Sequence, residues 1–189
     1  MKKLLSFAVV VAFTAICGLS EPIVGDYKYK LVYNYEKLTL TLYDSGDRVL
    51  AEYPITSPAR RPSYWPGNAW VSKVVINPGW RPTVGTREYY EKKEGRSLPD
   101  YLPPGNERNA MGNYKMYFDF DQPVGMPIRG HGNNRPDQIS MRLSRGCVRT
   151  LNEDGVKFLS ILSDRDLSED FASGKTLTVK VAPTRVVFE

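Results

Sequence analysis

The clearest alternation of apolar and polar positions lies at residues 37–43, Lys-Leu-Thr-Leu-Thr-Leu-Tyr. A period of two puts Leu38, Leu40 and Leu42 on one face and Thr39 and Thr41 on the other, which predicts a half-buried β-strand. Asp44-Ser45-Gly46-Asp47 supplies turn residues, and the chain resumes an extended pattern from Arg48 to Thr56, so a hairpin is expected. Tyr29, Leu31, Tyr33 and Tyr35 alternate in the same way and predict a preceding strand. Val71–Ile76, Tyr114–Phe120 and Thr176–Ala182 are further strand candidates. The period changes at Glu153–Leu162, where Val156, Leu159 and Leu162 form a helical stripe, Glu153 and Asp154 suit the N-terminus, and Asn152 is the expected cap. Asp164–Gly174 reads as a loop or short helix before the last strand.

Between the strands runs a long segment, Asn77–Asn109, carrying Pro78, Pro82, Pro99, Pro103 and Pro104. Long proline-rich connections inside a compact domain are usually functional, so a lid loop over a site is expected here. The charges of Arg87–Arg96 predict a solvated helical turn within it. The sum is a mainly β fold with one or two peripheral helices.

The first twenty residues break this pattern. Lys2 and Lys3 precede a nearly unbroken apolar run from Leu4 to Ile16, and Gly18 and Ser20 suit cleavage before Glu21. The run is too short to cross a bilayer comfortably and reads as a secretory signal peptide. Cys17 raises a lipoprotein alternative, against which stands the bulky Ile16 in front of it. Residues 21–189 are expected to form a single domain, with no transmembrane segment once the leader is gone. Cleavage removes two lysines and no acid from a chain of formal charge +5. The remaining positive balance suits an anionic wall or membrane surface and is too weak to argue for nucleic acid.

Cleavage also leaves one cysteine, Cys147, which cannot form an internal disulfide in an oxidising compartment. The chain has a single histidine, His131, sixteen positions before it. One imidazole cannot make the multi-histidine set of a metal hydrolase, so neither a metal nor any other cofactor is expected. A cysteine nucleophile needs a base, and imidazole is the usual one. Gly132 and Gly146 adjoin the two residues and allow tight turns and free backbone N–H groups. Five arginines against one acid, Asp137, between Arg129 and Arg149 predict an electropositive setting that favours thiolate and carboxylate-bearing substrates. Composition alone leaves open an inert cysteine, a structural histidine and a solvated arginine face.

His131-Gly132, a gap, then Ser144-Arg145-Gly146-Cys147-Val148-Arg149 resembles the signature of the L,D-transpeptidase (YkuD-type) catalytic domain. Asn77-Pro78-Gly79-Trp80 and Pro104-Gly105 to Asn109-Ala110-Met111-Gly112 resemble two upstream segments of that family, so the likeness covers roughly residues 36–183. There are three departures: Arg145 stands where many members have a second histidine, Asn133 where Thr or Ser is common, and Ala110 where Pro is usual.

The resemblance implies a β-sandwich-type domain acting on bacterial peptidoglycan. Cys147 would attack the third-residue carbonyl of a tetrapeptide stem and expel D-Ala, and an amine acceptor would then resolve the thioester. His131 would be the general base, and the Gly132 carbonyl would orient its ring. Backbone N–H groups at Gly146 and Cys147 would form the oxyanion hole. Arg149, Ser144, Arg145, Trp80 and Met111 are the expected substrate contacts. The acceptor stays open: another stem, the lysine of a wall-anchored lipoprotein, a D-amino acid, or water, which would make the enzyme an L,D-carboxypeptidase. A catalytically weak wall-binding homologue is the non-enzymatic alternative. Papain-like hydrolases place Cys before His, the reverse of the order here. The resemblance and the leader together imply a periplasmic location.

Overall fold

The computed structural model describes residues 26–125 and 128–189. The expected signal peptide and Cys17 lie outside the described residues. Strand β1 (Tyr29–Asn34) pairs antiparallel with β2 (Thr39–Asp44), which turns into β3 (Val49–Pro54). The turn forms because Asp44 Oδ1 accepts the N–H groups of Gly46 and Arg48, both at 3.0 Å. Leu40 and Leu42 are fully buried, as their alternation requires. Leu38 lies outside the strand with φ +57°, partly buried against the core, so it does not continue that alternation.

After the short β4 (Ser57–Pro58) comes the longest strand, β5 (Gly67–Ile76), which begins four residues before the apolar run that predicts it. Next come the helix α1 (Val84–Glu94), β6 (Tyr114–Phe120), β7 (Arg129–His131), β8 (Arg142–Ser144), β9 (Val148–Arg149), α2 (Asn152–Leu162), α3 (Ser168–Ala172), β10 (Leu177–Val179) and β11 (Thr184–Phe188). The main sheet runs β3-β2-β1-β11-β5-β6-β7-β9, with β10 also on β5. β4 and β8 form a small parallel pair.

The two ends of the main sheet meet. Thr56, just past β3, donates to the Arg149 carbonyl at 2.8 Å, and Arg149 N–H donates to the Thr56 carbonyl at 3.0 Å. The sheet therefore curls toward closure and encloses its core. The expectation of a mainly β domain with few helices holds, and the layering comes from one curled sheet.

Phe188 of β11 is the hub of that core. Its ring contacts those of Tyr33, Tyr64, Trp65, Phe118 and Phe120 at centroid distances of 5.2–5.7 Å. Each such pair contributes about 0.5–1.5 kcal/mol beyond area burial. On the other side α2 buries Gly155, Phe158, Leu159 and Leu162. Asn152 is not its cap. Leu151 holds the cap position without a side-chain bond, and Asn152 Oδ1 instead accepts the Asn113 N–H at 3.0 Å. The expected helical turn at 87–96 is an eleven-residue surface helix with no buried residue, α1, capped by Thr83 and ended by Gly95 at φ +61°.

Gly155 gives a test of this packing. Gly→Ala inside a helix ordinarily stabilises by about 1 kcal/mol. Here a Cβ would lie 2.4 Å from the Tyr114 ring, in the buried contact between α2 and β6. Gly155→Ala is expected to lower the thermal midpoint measured by circular dichroism, and a raised midpoint would show that this contact can yield.

Candidate active site

His131 ends β7 and is 1% exposed. β7 is held between β6 and β9, with Lys115 opposite His131 on one side and Arg149 opposite it on the other. The parallel pairing aligns Gly130 with Val148, so Cys147, one residue before β9, arrives at the level of Arg129. The pairing of β7 with β9 thus brings the sequence-distant His131 and Cys147 to neighbouring chains of one sheet, two register positions apart.

His131 Nδ1 lies 2.7 Å from the Gly132 carbonyl. A carbonyl can only accept, so Nδ1 carries the proton and Nε2 is left with a free lone pair. Gly132 must be glycine at this point: a Cβ would sit 2.3 Å from Asn152 Oδ1 and 2.9 Å from the Asn113 N–H. Gly132 N–H donates to the Tyr114 carbonyl at 3.1 Å, and the His131 carbonyl accepts from Thr150 N–H at 3.2 Å. The Tyr114 hydroxyl and Thr150 Oγ1 are bonded at 2.8 Å beneath them.

The thiol is half-buried on a tight turn. Gly146 has φ +150°, a conformation that side chains disfavour. Ser144 Oγ donates to the Cys147 carbonyl and accepts the Gly146 N–H at 3.3 Å. The buried Tyr64 hydroxyl donates to the Gly146 carbonyl at 2.5 Å. Of the two N–H groups expected in an oxyanion hole, Gly146's is therefore engaged within the turn. Cys147's has no partner among the described residues. The Ser144 hydroxyl, expected to meet substrate, is likewise engaged in the turn.

The electrostatics correct one expectation. Burial, then the Arg149 charge, pushes the His131 imidazole down to about 3, against the opposing pull of the Gly132 carbonyl. Burial also pushes the Cys147 thiol above its ordinary 9.0, although the Arg129 backbone N–H and the charges of Arg149, Arg129 and Lys115 pull the other way. The basic cluster does favour thiolate, as expected, but desolvation outweighs it. The resting pair is neutral thiol and neutral imidazole. Arg145 takes no direct part in this balance: its guanidinium lies 4.2 Å over the Tyr89 ring of α1.

A cavity of about 540 Å³ is lined by Arg149, Asn133 and Asn113 on the sheet side and by Tyr90, Leu98 and Arg108 from the 77–109 segment; it reaches the strand pair through Arg149, and neither His131 nor Cys147 lines it. Arg149 Nη1 contacts Gln138 Oε1 at 3.3 Å, and no carboxylate pairs with Arg149 among the described residues. Its Nε, Asn133 Nδ2 and Asn113 Oδ1 are buried without partners. Trp80 is tied back to Leu102 by two backbone bonds of 2.8 Å, and the Met111 N–H donates to Asn109 Oδ1 at 3.0 Å. Ala110 and Gly112 line the cavity, whereas Trp80 and Met111 do not. Tyr64, Asn113 and Asn152 are the site residues that sequence reasoning missed. Asn133, noted there only as a departure, is a buried part of the wall.

The model of the L,D-transpeptidase (YkuD) catalytic domain matches residues 28–181. The chain belongs to that family. It is 35% identical over 133 residues to "Probable L,D-transpeptidase ErfK/SrfK" of Salmonella typhimurium, covering 68% of this chain and 39% of that protein. It is 33% identical over 132 residues to "Probable L,D-transpeptidase YbiS" of Escherichia coli K12, covering 68% and 40%. The chain thus spans about two fifths of the length of these curated relatives. Among solved structures, "L,D-transpeptidase from Mycobacterium smegmatis" aligns at 14% identity with a TM-score of 0.49, covering 86% of this chain and 59% of that one.

A neutral resting pair has a kinetic signature. Alkylation needs thiolate, and a thiol raised above 9.0 loses its proton only in the alkaline range. The iodoacetamide rate at Cys147 should therefore climb continuously with pH past neutrality. A plateau already reached below neutral pH would reveal a preformed thiolate–imidazolium pair and overturn this assignment.

Proposed function

We propose that this protein is a cysteine-dependent L,D-transpeptidase of bacterial peptidoglycan, working in the periplasm after removal of its leader. Family membership supports the reaction class. The observation that carries the residue assignment is the His131 Nδ1–Gly132 bond, on the strand next to the one that Cys147 precedes, which leaves Nε2 as the free base of the site.

In this reading the donor is a tetrapeptide stem. As its third-residue carbonyl approaches, the Cys147 proton passes to His131 Nε2 and Sγ bonds to the carbonyl carbon. Thiolate and imidazolium are both disfavoured at rest, so proton transfer and attack belong to one step. The tetrahedral oxyanion accepts from the Cys147 N–H, and one such donor typically lowers the barrier by about 2.7–4 kcal/mol. Collapse breaks the C–N bond, and His131 protonates the departing D-Ala amine. The resulting thioester is opened by an acceptor amine, whose proton returns through His131 as the thiol leaves. Arg149, lacking a carboxylate of its own at the cavity wall, supplies a counter-charge for a stem carboxylate. The amine of another stem, a lipoprotein lysine and a D-amino acid all fit this acceptor chemistry.

Incubation with purified disaccharide-tetrapeptide, followed by mass analysis, tests the reading. Cross-linked dimers lacking one D-Ala are expected. Tripeptide alone would make the protein an L,D-carboxypeptidase, and unchanged substrate would refute the assignment. Cys147→Ala should abolish turnover, and His131→Ala should cost about 10²–10⁴-fold. A carbapenem, which offers a strained carbonyl to the same sulfur, should add once to the wild-type protein and not at all to Cys147→Ala.

A further inference from the structure

Tyr64 belongs to none of the motifs that mark the site. It lies between β4 and β5, 2% exposed, with its ring packed on Phe120 and Phe188 at 5.4 and 5.2 Å. Its hydroxyl nevertheless leaves this aromatic core to reach the nucleophile turn, donating to the Gly146 carbonyl at 2.5 Å. Burial holds the phenol far above its ordinary range, so the hydroxyl remains a protonated donor.

The consequence follows from peptide geometry. The Gly146 C=O and the Cys147 N–H belong to one planar trans unit and point in opposite directions. A donor that holds the carbonyl inward therefore aims the Cys147 N–H outward, away from the core. The flanking units are pinned as well: Ser144 Oγ engages the Gly146 N–H on one side and the Cys147 carbonyl on the other. Without the Tyr64 bond, Gly146 at φ +150° is the flexible member of the turn, and its peptide is free to rotate.

We infer that Tyr64 is a positioning residue that aims the Cys147 N–H at the developing oxyanion through its hydrogen bond to the Gly146 carbonyl. This rests on the acyl-transfer reading of Cys147 given above. Tyr64 touches no reacting atom in that scheme. It acts on the Cys147 N–H, which of the two expected oxyanion donors is the one without a partner among the described residues, and it does so from a rigid aromatic cluster.

The test uses Tyr64→Phe, which deletes only the hydroxyl, and compares two reactions of the same sulfur. Alkylation by iodoacetamide is a displacement at saturated carbon and forms no oxyanion. Acylation by a carbapenem passes through a tetrahedral oxyanion. Tyr64→Phe should leave the alkylation rate and its pH profile within about twofold of wild type while slowing acylation by about 10–100-fold, a part of what loss of a whole oxyanion donor costs. With the tetrapeptide stem the loss should appear in kcat, with KM little changed. Tyr64→Leu, which also removes ring packing, should lower the thermal midpoint further yet give the same ratio of acylation to alkylation. Equal loss of both reactions would mean that the hydroxyl merely holds the thiol in place, and unchanged acylation would mean that the Cys147 N–H needs no such aim. Either result overturns the inference. If the wild-type protein is acylated by the carbapenem but leaves the stem untouched, the peptidoglycan reading fails while the Tyr64 comparison can still be made.

Discussion

Two backbone hydrogen bonds between Thr56 and Arg149 join the ends of the curled sheet, and the site hangs from that seam. β9 is only two residues long and could not hold an edge by itself. Bonded to β7 on one side and to the Thr56 segment on the other, it has no free edge at Arg149. Cys147 is the residue just before it, and His131 is on the strand beside it. The sixteen-residue excursion from His131 to Cys147 can therefore be irregular in its middle without loosening either end. The β4–β8 pair fastens that excursion to the same seam one step further out, through the bond from Ala59 N–H to the Ser144 carbonyl at 2.9 Å.

That construction explains the electrostatics. Seating His131 and Cys147 inside a closing sheet removes water from both, and dehydration penalises both charged forms. Three cations nearby, Arg149, Arg129 and Lys115, act on the thiol in the helpful direction, but two of them, Arg149 and Lys115, act on the imidazole in the unhelpful one. A cationic neighbourhood cannot favour a thiolate–imidazolium pair as a whole, because what it gives the anion it takes from the cation. The resting pair is therefore neutral.

The chemistry of the site was more legible in the sequence than its support. A single histidine, a cysteine outside the apolar leader and the glycines beside them stand out by count and spacing, and the structure puts them on neighbouring strands. β6 and the hairpin were legible because alternation survives where one face is buried. β7, β8, β9 and β11 were not. Strands of two or three residues carry no period, and β11, five residues at the chain's end, gives only Val186 and Phe188 as its buried apolar pair. Asn152 illustrates the other limit. Ahead of a helix, asparagine favours a cap, but the Asn113 N–H outbids the helix for its Oδ1, and only the tertiary fold brings that donor near. Tyr64 had no signal at all, since nothing local distinguishes a tyrosine whose hydroxyl bonds across 82 positions of chain.

Arg145 shows how a departure from the family pattern can be absorbed. Where many members have a second histidine, this chain places a guanidinium over Tyr89 at 4.2 Å. α1 buries no residue and has no apolar face to hold it down, so its position depends on contacts of this kind. A cation–π contact at an exposed site is worth about 0.5–1 kcal/mol, and Tyr89 is itself half exposed. That suffices to bias a surface helix without locking it. Trp80 bonded to Leu102 and Asn109 bonded to the Pro78 carbonyl close the base of the same segment. The segment is thus anchored where it leaves the sheet and only lightly held where it meets the turn that bears Cys147. The guanidinium at this position links the turn that bears Cys147 to α1, whose Tyr90 lines the cavity.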